Sequence, residues 1–457
     1  MLKEEIKDNL ELIKSGQNFL GILNDIKRRP EDAAKELGRS VDEINAIIKG
    51  QKPLSQELVN HAVKIWPVNA RDFYIIHDDC PNGIKIMRSE QSVKSSRIMN
   101  RAGKPYYEYR DTAMSSVSLF RPEWIEELCI VEDNEPENSN AQWNDGHFMH
   151  QFTYFIGDVN YYYKDENEQK QVFVTKTGDS VYGTPFRPHT FTTRKGADKN
   201  GLILALTYGN KISADTQQEL SALGYELAIQ YHLDFSTREK AFSSLLKFNI
   251  DASSLTIEEL SKRTEIEKNT IKQYLGGTAA VPDLTILLKL ARGLSVSVRE
   301  LIPPDEIEPK VIPKKHEQGH RWFYPSDSKA YELVELVQSQ NLPFSKALEV
   351  TIHEDSNDIT DLKVGLHQYV YNIGETVINL NWKSGDKKFQ EQIKPHDSAY
   401  IKPFVEHSFR GRGKIMVLRI GGRMSGDAQR EFSSLNKEDA NRAINETQMW
   451  FDPKGKN

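Results

Sequence analysis

Two residues near the middle of the chain, His147 and Gln151, have side chains that bind metal ions through an imidazole nitrogen and an amide oxygen. Side chains alternate between the two faces of an extended strand, so residues four apart share a face. We therefore expect His147 and Gln151 to project to the same side. Asp145 shares that face and is the alternative oxygen ligand, although we favour Gln151. A metal held by a neutral amide depends more on an anionic substrate for charge balance.

Three sequence blocks occur twice in the same order, which identifies the chain as a duplication. The first block reads HQFTYFIG in one copy and HQYVYNIG in the other. The paired segments are 150–157 with 367–374, 182–191 with 400–409, and 213–223 with 425–435. The chain therefore consists of two related units, and each candidate residue of the first unit has a counterpart in the second.

Each unit opens with helical patterning typical of a helix-turn-helix. In the first unit, Gly38 ends one short helix and Ser40 caps the next. The second unit repeats the plan, with Asp283 capping its last helix. The spacing resembles the helical domains of phage-repressor-like regulators. Asp42 and Glu43 lie at the N-terminal turn of the helix that would read DNA, where acidic side chains repel phosphate. We therefore expect no nucleic-acid partner.

The rest of each unit consists of short aromatic and β-branched runs separated by polar turns, which predict antiparallel strands in a sandwich or barrel. The segment GDSVYGTPFRPH at 178–189 resembles the second motif of cupins, and 147–151 lies where the first cupin motif is expected. The predicted fold class is therefore α+β, a tandem repeat of a helix-turn-helix-like domain and a cupin barrel. The predicted domains are 1–80 (helical), 81–236 (catalytic cupin), 237–308 (helical) and 309–457 (degenerate cupin).

The cupin resemblance brings His189, from the second motif, to His147 and Gln151. Two imidazoles and one oxygen donor on one face of a metal, with open positions opposite, are the arrangement of non-heme Fe(II) oxygenases. We therefore expect Fe(II) as the cofactor and these three residues as its ligands.

The second unit preserves only part of this constellation. Gln368 and His407 correspond to the amide and to the second-motif imidazole, but Val364 stands where the first unit has its first-motif histidine. We therefore predict that the second barrel is degenerate and binds no metal. His150 recurs as His367, which favours a structural role for that pair.

Composition narrows the class of protein. The 457 residues include 60 basic and 66 acidic side chains, without the basic excess of a dedicated nucleic-acid binder. The two cysteines, Cys80 and Cys129, exclude a disulfide scaffold and fit a reducing compartment. The N-terminal segment lacks the apolar region of a signal peptide, and no stretch approaches the roughly 18 apolar residues of a membrane span. We therefore expect a soluble, cytoplasmic protein with no membrane partner.

The sequence resembles the non-heme iron oxygenases of phosphonate metabolism that act on 2-hydroxyethylphosphonate. The resemblance is carried by SSRIMNRAGKPYYEYRDTAM at 95–114, FRPEW at 120–124 and NDGH at 144–147. One branch of this family forms hydroxymethylphosphonate and formate and has a Glu ligand where this chain has Gly183. The other branch forms methylphosphonate and carbon dioxide, with a Gln ligand at the position of Gln151. The resemblance therefore implies methylphosphonate formation, with the dioxygenase reaction as the alternative.

The resemblance also implies which residues contact 2-hydroxyethylphosphonate while dioxygen binds at the iron. Arg97, Asn144 and either Tyr106 or Tyr107 would bind the anionic phosphonate, and Lys27 would reach in from the helical domain. Lys27 and Tyr106 are the catalytic candidates. No reducing cosubstrate is expected, because the substrate supplies the electrons that reduce dioxygen.

Interpretations outside this branch stay open at this point. A cupin-type transcription regulator that senses a small ligand is the alternative from another class, and a cupin epoxidase or isomerase acting on a related phosphonate is a third. A regulator would bind DNA in a salt-dependent manner and would consume no dioxygen. A homo-oligomer also fits the sequence, since a helical domain could cover the barrel of another copy.

Overall fold

The computed structural model describes residues 2–118, 120–208, 212, 214–304, 310–340, 342–353 and 362–445. In this part of the chain, a helical domain is followed by a β-barrel, and the same order is repeated once. This is the alternation predicted from the duplicated blocks. None of the helices in these ranges is long and apolar enough to cross a membrane.

The first helical domain forms where the capping signals place it. Gly38 has φ +64° and ends one helix, and the Ser40 hydroxyl accepts a hydrogen bond of 3.1 Å from the Glu43 amide at the start of the next. Fully buried Phe19, Leu23 and Ile44 form part of the core. The helices are α1 (Leu2–Asp25), α2 (Pro30–Leu37), α3 (Val41–Ile48) and α4 (Gln56–Ile65).

The first barrel and its flanking elements follow this domain. The strands and the helix within this region are β1 (Ile84–Met87), α5 (Ser89–Lys94), β2 (Arg97–Arg101), β3 (Lys104–Asp111), β4 (Arg121–Glu127), β5 (Ile130–Val131), β6 (His150–Ile156), β7 (Val159–Lys164), β8 (Lys170–Val174), β9 (Ser180–Gly183), β10 (His189–Arg194) and β11 (Leu202–Tyr208). Two short helices then lead to the second unit, α6 (Asp215–Leu223) and α7 (Tyr225–Ala228).

The second unit repeats these parts. Its helical domain contains α8 (Arg238–Ala252), α9 (Ile257–Thr264), α10 (Lys268–Leu275) and α11 (Leu284–Leu294). Its strands are β12 (Val311–Lys314), β13 (Arg321–Tyr324), β14 (Tyr331–Glu335), β15 (Ser345–Ile352), β16 (His367–Asn372), β17 (Ile378–Ser384), β18 (Lys387–Ile393), β19 (Ser398–Ile401), β20 (His407–Arg410) and β21 (Gly413–Ile420). The helices α12 (Asp427–Ser434) and α13 (Lys437–Asn445) follow.

Each barrel consists of two sheets, and the two units exchange one strand. The first barrel combines the sheets β12-β9-β6-β11-β4-β3-β2 and β5-β10-β7-β8. The second combines β1-β19-β16-β21-β15-β14-β13 and β18-β17-β20. Strand β1 therefore extends the second barrel, and β12 extends the first. The domain boundaries at 80, 236 and 308 stay predictions, and the last of them lies outside the described residues.

The two barrels pack against each other through large buried side chains. Phe152 and Tyr154 of β6 belong to a buried cluster that also contains Tyr369 and Leu418 of the second barrel. Phe155, one position further along β6, belongs instead to the core inside the first barrel. Because side chains alternate along a strand, Gln151 and Thr153 share the interior face with Phe155. The packing between the barrels therefore fixes which side chains of β6 project into the candidate site.

Candidate metal centre

His147 lies in the loop that precedes β6, since that strand begins only at His150. The extended strand predicted for 147–151 is therefore too long. The loop turns at Gly146, whose φ is +77° and where a Cβ atom would lie 2.5 Å from the carbonyl carbon of Phe186. Only glycine permits this approach. The His147 carbonyl then accepts a hydrogen bond of 2.7 Å from the Phe186 amide, which holds the loop against the second motif.

His147 and Gln151 meet at one point despite this turn. The His147 Nε2 atom lies 2.8 Å from the Gln151 Oε1 atom. The Met149 carbonyl accepts a hydrogen bond of 2.8 Å from His147 Nδ1, so a metal would bind this ring through Nε2. The contact is either a hydrogen bond from a protonated Nε2 atom or, once Nε2 is deprotonated, a pair of lone pairs that a metal ion can share. Ligands about 2.1 Å from a metal and at right angles to each other lie about 3 Å apart, which fits this pair.

The amide of Gln151 is oriented by Thr153, a residue that the sequence did not single out. Gln151 Nε2 donates a hydrogen bond of 2.8 Å to the Thr153 hydroxyl. The amide oxygen is therefore the atom that faces His147. Hydrogen bonds of this kind fix ligand orientation in metal sites. The signal in the sequence was the spacing, because Thr153 follows Gln151 by two and so shares its face.

His189 begins β10 and completes the constellation. Its ring centroid lies 5.2 Å from that of His147, with the ring planes at 83°. Its Nδ1 atom donates to the Arg187 carbonyl at 2.8 Å, which leaves the lone pair on Nε2. Burial lowers the pKa of His189 to about 4, so the ring is neutral at physiological pH, as metal binding requires.

Asn144 joins the two motifs at this site. Its Oδ1 atom accepts hydrogen bonds from the Gly146 amide at 3.0 Å and from the His189 amide at 2.9 Å. Its Nδ2 atom lies 3.2 Å from His189 Nε2. The side chain therefore holds the loop in place, and its amide nitrogen donates to the His189 Nε2 lone pair that a metal would use.

Asp145, the alternative oxygen ligand, has an exposed side chain. Among the described residues, no cluster of three His, Cys, Asp or Glu side chains could hold a metal. The donors that the structure brings together are therefore two imidazoles and the amide oxygen of Gln151, without a carboxylate.

Arg97 and Lys27 make contacts elsewhere. The Arg97 guanidinium forms ion pairs with Asp111 at 2.8 Å and with Glu123 at 2.9 Å. The exposed Lys27 ammonium donates to carbonyls at the end of α1, including that of Asp25 at 3.1 Å. The described contacts bring neither cation to His147, and their predicted roles toward the substrate stay predictions.

Tyr106 and Tyr107 of β3 both contact Thr190, the residue that follows His189 in β10. Both hydroxyls lie 2.9 Å from the Thr190 hydroxyl, and that of Tyr107 also accepts from the Phe191 amide at 3.0 Å. Burial raises the pKa of both phenols, so both stay neutral. These contacts give both tyrosines the same structural function, and they do not decide which of them the substrate would touch.

Arg101 is a further cation near this site that the sequence analysis did not single out. Its guanidinium stacks over the rings of Tyr106 and Tyr107, 5.1 and 4.7 Å from their centroids, and donates to the Thr190 hydroxyl at 3.3 Å. The sequence contained a signal for this residue, because Arg101 lies in the same 95–114 segment that contains Arg97.

The second barrel retains the framework and two of the three donor side chains, Gln368 and His407. The Phe404 amide donates to the Val364 carbonyl at 2.7 Å, the same distance as the equivalent contact at His147. Val364 is therefore the structural counterpart of His147. The Nδ1 atom of His407 also donates to a carbonyl at 2.8 Å, as that of His189 does. His150 and His367 contact the hydroxyls of Tyr182 and Tyr400 at 2.6 and 2.7 Å, which supports the shared structural role predicted for that pair.

Similarity to known proteins identifies the family. The chain is 57% identical over 455 residues to the methylphosphonate synthase of Nitrosopumilus maritimus (strain SCM1), which covers all of this chain and 99% of that protein. The chain belongs to the methylphosphonate synthase family. It is 22% identical over 355 residues to the 2-hydroxyethylphosphonate dioxygenase of Streptomyces viridochromogenes (strain DSM 40736 / JCM 4977 / BCRC 1201 / Tue 494), covering 74% of this chain and 75% of that protein.

Structural similarity agrees with this membership of the methylphosphonate synthase family. A solved structure of HEPD (2-hydroxyethylphosphonate dioxygenase) from Streptomyces albus has 2-hydroxyethylphosphonate and Fe(II) bound. It superposes on this chain with a TM-score of 0.90 and 34% identity, over 97% of this chain and all of that one. Residues 246–305 match the family model of the Cro/C1-type HTH DNA-binding domain. The predicted α+β class and the resemblance to oxygenases of 2-hydroxyethylphosphonate are therefore confirmed. The match at 246–305 concerns the helical fold, and the expectation of no nucleic-acid partner stays a prediction.

Proposed function

We propose that this chain is a methylphosphonate synthase that converts 2-hydroxyethylphosphonate and dioxygen to methylphosphonate, carbon dioxide and water. The observation that carries the proposal is the 2.8 Å approach of His147 Nε2 to Gln151 Oε1, beside the neutral His189 ring. Gln151, rather than a carboxylate, supplies the oxygen donor. The relative with 57% identity over the whole chain bears the name of this activity.

Fe(II) is the cofactor that fits these donors, because two imidazoles and one oxygen leave open positions for substrate and dioxygen. When bound, it supplies the activation of dioxygen. His147, Gln151 and His189 would hold it, and hydrogen bonds at their remote atoms orient all three. Since none of the three carries a negative charge, the site retains the full charge of the cation. That charge favours a phosphonate anion as the substrate. The solved HEPD with both groups bound supports this assignment.

Asn144 is the residue that we propose for holding the substrate. Its amide nitrogen lies 3.2 Å from the Nε2 atom that would bind the metal, so its N–H groups border the metal position. A donor at this place can bind an oxygen of the phosphonate. Lys27, Arg97, Tyr106 and Tyr107 stay predicted contacts of the substrate. Their described partners, namely carbonyls, carboxylates and Thr190, supply no support for direct contact.

Aromatic rings close the inner side of the site. The centroids of Phe191 and Tyr161 lie 5.6 and 6.1 Å from that of His189. Both side chains are buried in the core of the first barrel. A water-poor environment on this side protects a reactive carbon fragment from reaction with solvent. This suits a reaction whose product keeps the phosphonate carbon as a methyl group.

The test is whether the protein loaded with Fe(II) converts 2-hydroxyethylphosphonate. Protein reconstituted with Fe(II) without air would be mixed with 2-hydroxyethylphosphonate, exposed to dioxygen and analysed by phosphorus NMR. We expect a methylphosphonate signal and consumption of dioxygen, and neither with Gln151→Ala. A hydroxymethylphosphonate signal would instead identify the dioxygenase reaction. Iron binding without turnover would contradict both.

A cytoplasmic location is a further part of the proposal. Cys80 and Cys129 are both free, as expected in a reducing compartment. Cell fractionation with an antibody against the chain would test this, and recovery in a membrane or secreted fraction would contradict it.

A further inference from the structure

The second barrel contains a cation at the level where the first barrel has its amide ligand. On β21, Ile415 and Val417 face the interior of the second barrel, and Arg419 follows on the same face. Arg419 is paired with Gln368 in the sheet, as Thr207 is paired with Gln151 in the first barrel. A guanidinium therefore stands where the first barrel has a small hydroxyl.

The contacts of Arg419 leave most of its donors without a strong acceptor. Its Nε atom donates to the Gln368 Oε1 atom at 3.1 Å. The Gln368 amide nitrogen lies 3.4 Å from the Nε2 atom of His407, so each end of the amide has a partner. No carboxylate in the described part of the chain forms an ion pair with Arg419. Burial lowers the pKa of Arg419, and the nearby Tyr324 opposes this shift only in part, which is the direction expected for a charge partly removed from water.

A second cation lies beside the first. Lys346 of β15 is the cross-strand partner of Arg419 and therefore projects from the same face. Its Nζ atom donates to the neutral amide oxygen of Gln338 at 2.7 Å. The carboxylate of Glu335 contacts that same amide at 3.0 Å and Lys314 at 3.3 Å. Like charges directly opposite each other destabilise a sheet, so the pair calls for a negative group between them.

We propose that the second barrel binds a small tetrahedral oxyanion, a phosphate or a phosphonate, between Arg419 and Lys346. The planar guanidinium offers parallel N–H groups that match two oxygens of such an anion, and the ammonium adds a point charge. The same positive charge opposes a metal ion, in agreement with the loss of the imidazole at Val364. The assignment does not depend on the proposed function, because it concerns the other barrel and is tested without iron.

The experiment uses the full chain in metal-free form, titrated with inorganic phosphate by calorimetry in a buffer without other oxyanions. We expect one phosphate per chain to bind to this site. We expect Arg419→Gln to weaken this binding at least about tenfold, the effect of losing a hydrogen-bonded charge. Lys346→Met provides a second variant, with a smaller loss expected. Lys387→Gln, which removes an exposed cation from β18 of the same barrel, should bind phosphate like the parent chain.

Competition then distinguishes the source of the anion. Displacement of phosphate by methylphosphonate in the parent chain, but not in Arg419→Gln, would identify a site that also accepts phosphonates. Failure of methylphosphonate to compete, with phosphate still lost in the variant, would restrict the site to phosphate. Phosphate binding that is absent from the parent chain, or equal in Arg419→Gln, Lys346→Met and Lys387→Gln, would overturn the proposal.

Discussion

The two barrels share a framework but differ in the chemical groups at the same position. The first barrel has candidate metal ligands there, and the second has a positively charged guanidinium. In the first, an imidazole and an amide oxygen direct lone pairs to one point, 2.8 Å apart. In the second, the equivalent amide oxygen accepts from the Arg419 guanidinium at 3.1 Å. The first arrangement offers two atoms that a metal ion from solution can bind, whereas the second has a cation built into the chain. A few side chains, rather than a difference in fold, therefore separate the proposed metal site from the barrel that is predicted to bind no metal.

The largest expected effect comes from giving the first barrel the residue of the second. His147→Val removes one of two imidazoles and reproduces Val364. Since loss of groups that only orient ligands already costs about 10–100-fold in metal affinity, loss of a ligand should cost at least about a hundredfold. We expect no methylphosphonate formation at equimolar Fe(II), measured by phosphorus NMR together with an iron titration.

A substitution at the counterpart position is the matched control. Val364→Thr changes the same place in the second barrel and should leave iron affinity and turnover unchanged. If His147→Val retained full iron affinity, the metal would have to be held by other donors, and the contrast between the barrels would fail.

We expect the next largest effect at the hydrogen bonds that Glu349 makes between the barrels. Glu349 of the second barrel is buried and accepts from Tyr154 of the first barrel at 2.6 Å, from Lys414 at 2.9 Å and from His316 at 3.1 Å. Burial alone would raise its pKa, but these hydrogen bonds lower it to about 2. The folded value lies below the unfolded one, so the contribution to stability is complete above about pH 4.5 and is lost as the pH falls toward 2.

The shift corresponds to about 3 kcal/mol in the free energy of unfolding. We expect Glu349→Gln to lower stability at pH 7 by about this amount and to weaken the dependence of stability on pH between 5 and 3. Urea unfolding at a series of pH values measures both. Glu438→Gln, at an exposed position of α13, should behave like the parent chain. An unchanged pH profile in Glu349→Gln would show that this carboxylate does not couple the barrels.

The differences between the two barrels that follow from the duplicated blocks could be predicted from the sequence. The duplication identified Val364 opposite His147 and retained Gln368 and His407. It did not reveal Arg419, because no pattern in one strand shows which residue of a neighbouring strand lies beside it. The partners of Arg97 were not visible in the sequence for the same reason. The charge is visible in the sequence, but its partners Asp111 and Glu123 come from two other strands.

The smallest expected effect concerns the orientation of the Gln151 amide. It tests whether Thr153 or the metal itself orients this amide. Thr153 accepts from the Gln151 amide nitrogen at 2.8 Å, whereas its counterpart Val370 cannot accept a hydrogen bond. Thr153→Val keeps the shape of the side chain and removes the acceptor. We expect about a 10–100-fold loss of Fe(II) affinity, measured by titration, with Thr153→Ser retaining the affinity of the parent chain.

Val370→Thr is the control in the other barrel and should leave iron binding unchanged. A merely structural role of Thr153 would lower thermal stability in Thr153→Val and Thr153→Ser without separating their iron affinities. If Thr153→Val bound iron as tightly as the parent chain, the metal itself would orient the amide. The predicted lack of metal binding in the second barrel would then rest on Arg419 and Val364 alone, because the guanidinium holds the amide oxygen that a metal would otherwise bind.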